Sequence, residues 1–260
     1  MKIFWQTLAV AFGMFSAVPL PQPVWNKQNM RYALCAFPAV GIVSGAAMLG
    51  FARLCAVLGV GIVLRAAGLC LLPVLITGGI HLDGFADTCD ALASCAEPEK
   101  KQAILADPHC GAFAVIRLCS WFLADFALWA QLRPDGAALL CLAAGQVLSR
   151  ALSGYAVARF PLAKNTGLAH TFASSADKVR TGRFLAALAV VCAAGMIACG
   201  GALGVCAALA AFLCLGHYKK TAEKQFGGIS GDLAGWFLTR CECWQLAAAV
   251  CWQLIEGVIR

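Results

Sequence analysis

The sequence predicts an all-α fold, a polytopic integral membrane helical bundle of about six to eight transmembrane helices. Composition is the first observation behind this prediction, because 61% of the 260 residues are hydrophobic and 13% are charged. Soluble domains carry about 25% charged residues, so this chain has too little polar surface to cover a globule in water. The second observation is the length of its apolar runs, which are near the roughly 20 residues that a helix needs to cross a bilayer. We therefore expect residues 1–260 to form one membrane-embedded domain.

Seven apolar runs of near-spanning length follow one another along the chain. We expect them to be helices, because an isolated span must pair its own backbone polar groups inside the bilayer. The runs cover residues 31–50, 55–77, 110–131, 136–157, 184–199, 201–218 and 233–256. The segment Met1–Val18 is a candidate eighth span or re-entrant segment, which we favour over a cleaved secretory signal. The short, Gly- and Ala-rich region 184–218 predicts either two tilted spans or one hairpin that does not fully cross.

Three polar segments, at about 78–109, 158–183 and 217–232, are separated by pairs of apolar runs and so fall on one side of the membrane. This side, with the loop 19–30, holds Lys27, Arg31, Lys100, Lys101, Arg159, Lys164, Lys178, Arg180, Arg183, Lys219, Lys220 and Lys224. The opposite side holds Arg53, Arg133 and Arg260. Because Lys and Arg accumulate in cytoplasmic loops, we expect a bacterial inner-membrane protein whose polar loops face the cytoplasm. The net charge of +7 then reflects membrane orientation and contact with membrane lipid, and we expect no nucleic-acid partner.

The strongest chemical signal is the segment Gly78–Asp90, which reads GGIHLDGFADTCD. Asp83, Asp87 and Asp90 stand at i, i+4 and i+7 and therefore share one face of a helix. Like charges at this spacing repel unless a cation lies between them, and hard carboxylate oxygens suit Mg²⁺. The segment therefore predicts a site for Mg²⁺ or for Mg²⁺ with phosphate. His81 beside it could be a general base, a ligand or a packed neutral ring.

Two further segments could complete such a site. Asp107 precedes a proline just before an apolar run, where it could add a carboxylate or simply start a helix. The segment GGISGD supplies Gly227, Gly228, Gly231 and Asp232 immediately before the last run. Glycines let a backbone approach a ligand closely, and free N–H groups at a helix start suit phosphate, although a flexible turn with an N-cap Asp is the alternative.

Basic residues in the polar loops could neutralise a pyrophosphate, and among them Arg159 and Lys164 are our candidates. Contact with anionic lipid is the alternative for such residues. Arg117, Asp125 and Arg150 fall inside apparent spans, where charges are paired or functional. An ion pair between Asp125 and an arginine is one expectation.

Taken in order, these motifs resemble the cobalamin synthase family over most of the chain. The residues that carry the resemblance are Pro19, Pro21, Trp25, Phe37-Pro38, Gly78–Asp90, Asp107–Phe113, Arg159–Ala163, Gly167-Leu168 and Gly227–Asp232. The chain departs from the family pattern at Pro108 and His109, where Ser and Arg are usual, and at Ser16, near a usual Arg.

The resemblance implies an adenosylcobinamide-GDP ribazoletransferase, a phosphotransferase that acts in cobalamin (vitamin B12) biosynthesis. Adenosylcobinamide-GDP and α-ribazole, or its 5′-phosphate, would give the cobalamin product and GMP. Asp83, Asp87 and Asp90 would ligate Mg²⁺, with Asp107 and Asp232 as additional carboxylates. One of these carboxylates or His81 would orient the attacking hydroxyl, and the Gly-rich segment would receive phosphate. Homo-oligomers or association with other cobalamin-pathway enzymes are further expectations.

Three alternative classes remain from the residues alone. A CDP-alcohol-type phosphotransferase would also place aspartates at the edge of a helix, but this chain lacks the Asp-Gly-x-x-Ala-Arg spacing. A membrane prenyltransferase would need a second Asp-rich repeat, which we do not find. A divalent-cation transporter would carry its acids near mid-membrane on broken helices in repeated halves, whereas here they lie at one edge.

Overall fold

The computed structural model of this chain describes residues 2–21 and 23–259. It contains eleven helices: α1 Lys2–Phe15, α2 Lys27–Met30, α3 Ala33–Val57, α4 Ile62–Thr77, α5 Ile80–Ala93, α6 Pro98–Ile104, α7 Ala112–Gln131, α8 Gly136–Arg159, α9 Gly167–Ser175, α10 Lys178–Phe226 and α11 Gly231–Ile259. Within this part of the chain, strand-like pairing is limited to one isolated parallel bridge between Leu162 and Ile229. The predicted all-α fold is confirmed.

Helix α8 forms the centre of the bundle and packs against α3, α10 and α11. Small residues bring α3 close to it: a Cβ on Gly41 would lie 2.5 Å from the carbonyl oxygen of Gln146, and one on Gly45 would lie 2.7 Å from that of Ala143. Such contacts are the usual way in which helices associate in a bilayer. Both glycines therefore serve backbone packing, and the core is built from interlocked helices.

Helix α10 reverses direction at Gly201, whose φ of 55° and ψ of −128° are not helical. Both ends of α10 lie at the same end of the bundle, because Gly182 lies against Arg159, and Gln102 donates to the carbonyl of Phe226 at 2.7 Å. The halves 178–200 and 202–226 therefore run antiparallel, and each is about 35 Å long at 1.5 Å per residue. Of the two arrangements predicted for this region, the structure favours two spanning helices over a hairpin that stops short.

Counted as whole elements, fewer helices than the predicted six to eight are long and apolar enough to cross a membrane. In the described ranges these are α3, α7, α8 and α10, four in all, or five if the bent pair α4–α5 is one span. The count is lower because α10 contains two apolar runs in one element, and because α1 has 14 residues. Helix α11 is not among the candidates, and its middle carries Arg240, Glu242 and Gln245.

Candidate functional site

The acidic helix α5 begins at a sharp bend. Gly78 and Gly79 both have left-handed backbones, with φ of 66° and 81°, which favour glycine because it has no Cβ. They turn the chain by 97° between α4 and α5. Helix α5 therefore leaves the direction of the apolar helix α4, and its polar face lies at the end of the bundle.

Glycines also bring α5 against the start of α11. A Cβ on Gly84 would lie 2.6 Å from the carbonyl oxygen of Asp232, and one on Gly235 would lie 2.9 Å from that of His81. The Thr239 hydroxyl also donates to the carbonyl of His81 at 3.3 Å. This crossing brings Asp232 next to α5, although the two segments are about 150 residues apart in the sequence.

The carboxylates of α5 and α11 act on one another. Burial, and then the charges of Asp83, Asp232 and Asp90, raise the pKa of Asp87 to about 6. The pKa of Asp232 is also raised, first by burial and then by Asp83, and the opposing charge of Lys164 is a smaller effect. Both directions follow from the cost of placing like charges together in a partly desolvated site. Asp83, Asp87, Asp90 and Asp232 are called the acidic cluster below.

The acidic cluster does not form a closed protein cage for a metal ion. In residues 2–21 and 23–259, no group of three or more His, Cys, Asp and Glu side chains is arranged to hold one. The Asp90 carboxylate lies against the backbone of Gly111, at the start of α7. The donor set nevertheless fits Mg²⁺, which is usually bound by one or two carboxylates, waters and substrate phosphates. A Mg²⁺ ion that is held jointly by these carboxylates and by the substrate phosphates therefore stays a prediction.

A first cavity, of about 260 Å³, opens beside the acidic cluster and is called the apolar cavity. Its walls include Phe15, Phe37 and Phe172, and the ring of Phe15 lies 4.2 Å and 5.4 Å from the rings of the other two. His81, Asp83 and Asp232 line its polar side. The cavity therefore combines an aromatic wall with a carboxylate edge.

A second cavity, of about 310 Å³, lies on the other side of Asp232 and is called the polar cavity. Its lining includes Gln102, Lys164, Thr166, His170 and Ser230. The two cavities share Leu168, Ala169, Gly231 and Asp232 in their walls. Asp232 and the start of α11 therefore lie between the apolar cavity and the polar cavity.

The positions of five predicted site residues can be compared with these two cavities. Lys164 lines the polar cavity, and its ammonium donates to the carbonyl of Gln102 at 3.2 Å. Gly231 lines both cavities. Gly227 ends α10 with φ of 74°, and Gly228 crosses the backbone of residues 161–163, so both have structural tasks. Arg159 lies across Gly182 of α10 and lines neither the apolar cavity nor the polar cavity.

Asp107 pairs with a neighbouring histidine. Its exposed carboxylate is paired with the Nδ1 atom of His109 at 2.6 Å. It also accepts the backbone N–H of His109 at 2.9 Å, and these contacts lower the pKa of Asp107. The role of Asp107 as an additional carboxylate of the site stays a prediction. The pairing also gives a defined contact to His109, which is one of the positions where the chain departs from the family pattern.

His81 connects the apolar cavity with the interior of the bundle. Burial, followed by the charge of Arg150, lowers the pKa of His81 to about 3, so the ring is neutral. Its Nε2 atom is buried without a hydrogen-bond partner among the described residues. A pocket of about 30 Å³ lies between His81, Arg150 and Glu242. Since this volume is near that of one water molecule, the pocket has room for a water to serve these groups.

Sequence reasoning missed the partner of the buried arginine. Arg150 is fully buried and pairs with Glu242 at 2.6 Å, so the expectation of a pair with Asp125 is wrong for Arg150. Ser149 also donates to Glu242, at 3.0 Å. Glu242 lies 92 residues away in the sequence, and its position inside the last apolar run was the signal that could have found it. Gln102, Thr166 and His170 had no distinguishing local pattern.

Comparisons with known proteins agree on one family. The family model described as Cobalamin-5-phosphate synthase matches residues 7–250. A relative from Lachnoclostridium phytofermentans, named adenosylcobinamide-GDP ribazoletransferase, is 41% identical over 97% of this chain and 95% of its own length. Relatives of the same name are 30% identical in Clostridium botulinum, over 92% of this chain and 94% of theirs, and 32% identical in Geobacillus kaustophilus, over 90% and 91%.

No solved structure matches this chain. The family match covers the bent helix α5, the acidic cluster and both cavities. The chain belongs to the cobalamin-5-phosphate synthase family.

Proposed function

We propose that this protein is an adenosylcobinamide-GDP ribazoletransferase that joins adenosylcobinamide-GDP to α-ribazole or α-ribazole 5′-phosphate with release of GMP. The observation that carries the proposal is the position of Asp232, with the rest of the acidic cluster beside it, between the apolar cavity and the polar cavity. Membership of the family and the names of the relatives support the same activity.

The reaction replaces a phosphoanhydride bond of the substrate with a phosphate ester bond to the ribazole. A ribazole hydroxyl oxygen attacks the phosphorus atom next to the cobinamide, and the bond from that phosphorus to the oxygen bridging to GMP breaks. The hydroxyl proton must leave, and negative charge develops on the phosphoryl oxygens and on GMP. Preorganised positive charge and hydrogen-bond donors that meet this charge lower the barrier.

The apolar cavity suits the ribazole. Its three phenylalanine rings provide faces on which a flat heteroaromatic base can stack. In that position the ribose hydroxyls would lie toward His81, Asp83 and Asp232, which line the polar side of the cavity. Binding the base there converts the encounter of two substrates into a reaction within one complex.

The polar cavity suits the diphosphate and the guanosine. Lys164 supplies positive charge, and Thr166, His170 and Ser230 supply hydrogen-bonding groups. Gly231 begins α11 at the same place, and free N–H groups at a helix start favour phosphate. The diphosphate would then lie next to Asp232, where the two cavities meet.

Mg²⁺ fits the proposal as a cofactor held by Asp83, Asp87 and Asp232 together with substrate phosphates. When bound, the metal would supply positive charge for the phosphoryl oxygens and for the GMP leaving group. A carboxylate of the acidic cluster that the metal leaves free would accept the hydroxyl proton. His81 is neutral and can accept a hydrogen bond from the hydroxyl.

The proposal includes an orientation in the bacterial inner membrane with the acidic cluster toward the cytoplasm. The Lys and Arg residues near the ends of α8, α10 and the α5–α7 connection support this orientation. Association with a second copy or with other enzymes of the pathway stays a prediction.

The test is product formation by the purified full chain in liposomes, with adenosylcobinamide-GDP and either form of ribazole. We expect GMP release and cobalamin formation that need Mg²⁺ and stop with EDTA. The Asp83→Asn variant should lose the activity, whereas Glu99→Gln, at an exposed acid of α6, should keep it. A folded wild-type protein that gives no product with either ribazole would contradict the proposal.

A further inference from the structure

An arginine on the flank of α11 lies between two tryptophans. The guanidinium carbon of Arg240 is 4.3 Å from the ring centre of Trp236 and 5.0 Å from that of Trp244. Arg240 follows the first residue of α11 by nine positions, which places it about 14 Å along the helix. None of the ion pairs found among the described residues includes Arg240. An arginine that is stacked on two indole rings and has no carboxylate partner keeps its charge available for another anion.

Three more basic residues surround Arg240. The ring of His217 lies 5.8 Å from Trp236 and 6.1 Å from Trp244. The charges of Arg240 and Lys220 both act on His217, and the charges of Arg117 and Arg240 both act on Cys89 of α5. These electrostatic interactions, together with the packing of α7 and α10 against α11, indicate that the four basic residues lie on one flank of α7, α10 and α11. Arg117, His217, Lys220 and Arg240 are called the cationic flank below.

The surface next to the cationic flank is apolar. Leu213 and Leu209 lie one and two helical turns from His217 along α10, and each is more than half exposed. Ile116, beside Arg117 on α7, is also more than half exposed. An apolar wall that begins at a group of positive charges matches a molecule with an anionic head and hydrocarbon tails.

We propose that the cationic flank binds the head-group phosphate of an anionic phospholipid. Arg240 lies against the two indole rings, and a planar guanidinium can donate two parallel hydrogen bonds to phosphate oxygens. The acyl chains lie along Leu213, Leu209 and Ile116. Basic pockets between membrane helices bind lipid head groups in this way.

This lipid site is separate from the proposed catalytic site. None of Arg117, His217, Lys220 and Arg240 lines the apolar cavity or the polar cavity. A free nucleotide or inorganic phosphate would share the phosphate chemistry but would leave the apolar wall uncovered. The lipid is therefore the occupant that uses both parts of the surface.

The experiment measures lipid retention by the full chain in a neutral detergent, using native mass spectrometry with added phosphatidylglycerol or phosphatidylcholine. We expect wild-type protein to retain phosphatidylglycerol in preference to phosphatidylcholine. The Arg240→Gln variant should bind phosphatidylglycerol roughly fivefold or more weakly, since one positive charge near a lipid surface contributes about this much. The matched control is Arg53→Gln, which removes an exposed arginine near the far end of α3 and should bind as the wild type does.

Equal phosphatidylglycerol retention by Arg240→Gln and wild type would overturn the proposal. Displacement of the lipid by GDP would also overturn it, because the site would then accept a water-soluble phosphate. If Arg240→Gln does not remain monodisperse, Arg117→Gln and Lys220→Gln, both at exposed positions, give the same readout. Neither lines the apolar cavity or the polar cavity, so a weaker binding of lipid by these variants with unchanged GMP release would separate this site from the proposed function.

Discussion

Helix α11 takes part in two groups of charged residues that follow opposite electrostatic rules. In the interior, Glu242 pairs with the fully buried Arg150 at 2.6 Å and also accepts from Ser149. At the end of the bundle, Asp232 joins Asp83 and Asp87, and their mutual repulsion contributes to the raised pKa of Asp87. The first group satisfies its charges within the protein. The second leaves negative charge that a bound cation would relieve, which is typical of a functional site.

The largest effect on stability should come from breaking the interior pair. Arg150→Met leaves the Glu242 carboxylate without its cation, and removing one partner of a buried ion pair costs about 3–5 kcal/mol. The double variant Arg150→Met/Glu242→Leu removes both charges and should recover much of this loss. Thermal unfolding in detergent measures the stability of both variants. Equal stability of the two would show that the Arg150–Glu242 pair contributes through packing alone.

Removing a charge from the acidic cluster should have the opposite effect on stability. Asp87→Asn removes a repelled carboxylate, so we expect its thermal stability to be equal to or higher than that of the wild type. Its rate of GMP release should fall by about 100-fold or more, as for the loss of one charge-stabilising group in a catalytic site. Glu99→Gln should change neither quantity. A clear drop in thermal stability of Asp87→Asn would contradict the electrostatic distinction between the two groups.

A smaller effect should follow from separating α5 and α11. Gly84→Ala would place a Cβ 2.6 Å from the carbonyl oxygen of Asp232, and overpacking of this kind costs about 1–3 kcal/mol. The shift would also move the carboxylates of the two helices apart and reduce GMP release. The control is Gly50→Ala in α3, where nothing lies within 4 Å of the new Cβ, and where alanine should be neutral or stabilising. Similar behaviour of the two variants would argue against a close crossing.

The smallest effect is a pH dependence set by Asp87. Because the folded-state pKa of Asp87 is raised from 3.8 to about 6, its contribution to stability is present at low pH and is lost as the pH rises through about 6. Protons also compete with Mg²⁺ for this carboxylate. The Mg²⁺ concentration for half-maximal GMP release should therefore be about fourfold higher at pH 5.5 than at pH 7.5. An unchanged Mg²⁺ requirement over this range would show that Asp87 does not share the metal.

The sequence predicted those parts of the site that depend on local spacing or on adjacency to an apolar run. The i, i+4, i+7 positions of Asp83, Asp87 and Asp90 follow from helix geometry alone, and Asp232 was predicted from the Gly-rich segment before the last run. The all-α class followed from composition. These features need no knowledge of how distant segments pack.

The parts that could not be predicted depend on packing between distant segments. Glu242 meets Arg150 only because α8 and α11 are neighbours. Gln102, Thr166 and His170 come together because the loop before α9 meets both α6 and the loop before α11. Arg159 and Lys164 looked equivalent in the sequence, yet the bridge between Leu162 and Ile229 leaves Lys164 in the polar cavity and Arg159 against α10.

The central claim is that the acidic cluster holds a divalent cation together with the substrate diphosphate. The most direct measurement is a titration of the purified chain with Mn²⁺, followed by electron paramagnetic resonance, with and without adenosylcobinamide-GDP. We predict that the substrate strengthens Mn²⁺ binding in the wild type and in Glu99→Gln, and that Asp83→Asn and Asp87→Asn lose most of this strengthened binding. Mn²⁺ binding that is unaffected by the substrate, or that persists unchanged in both aspartate variants, would contradict the claim.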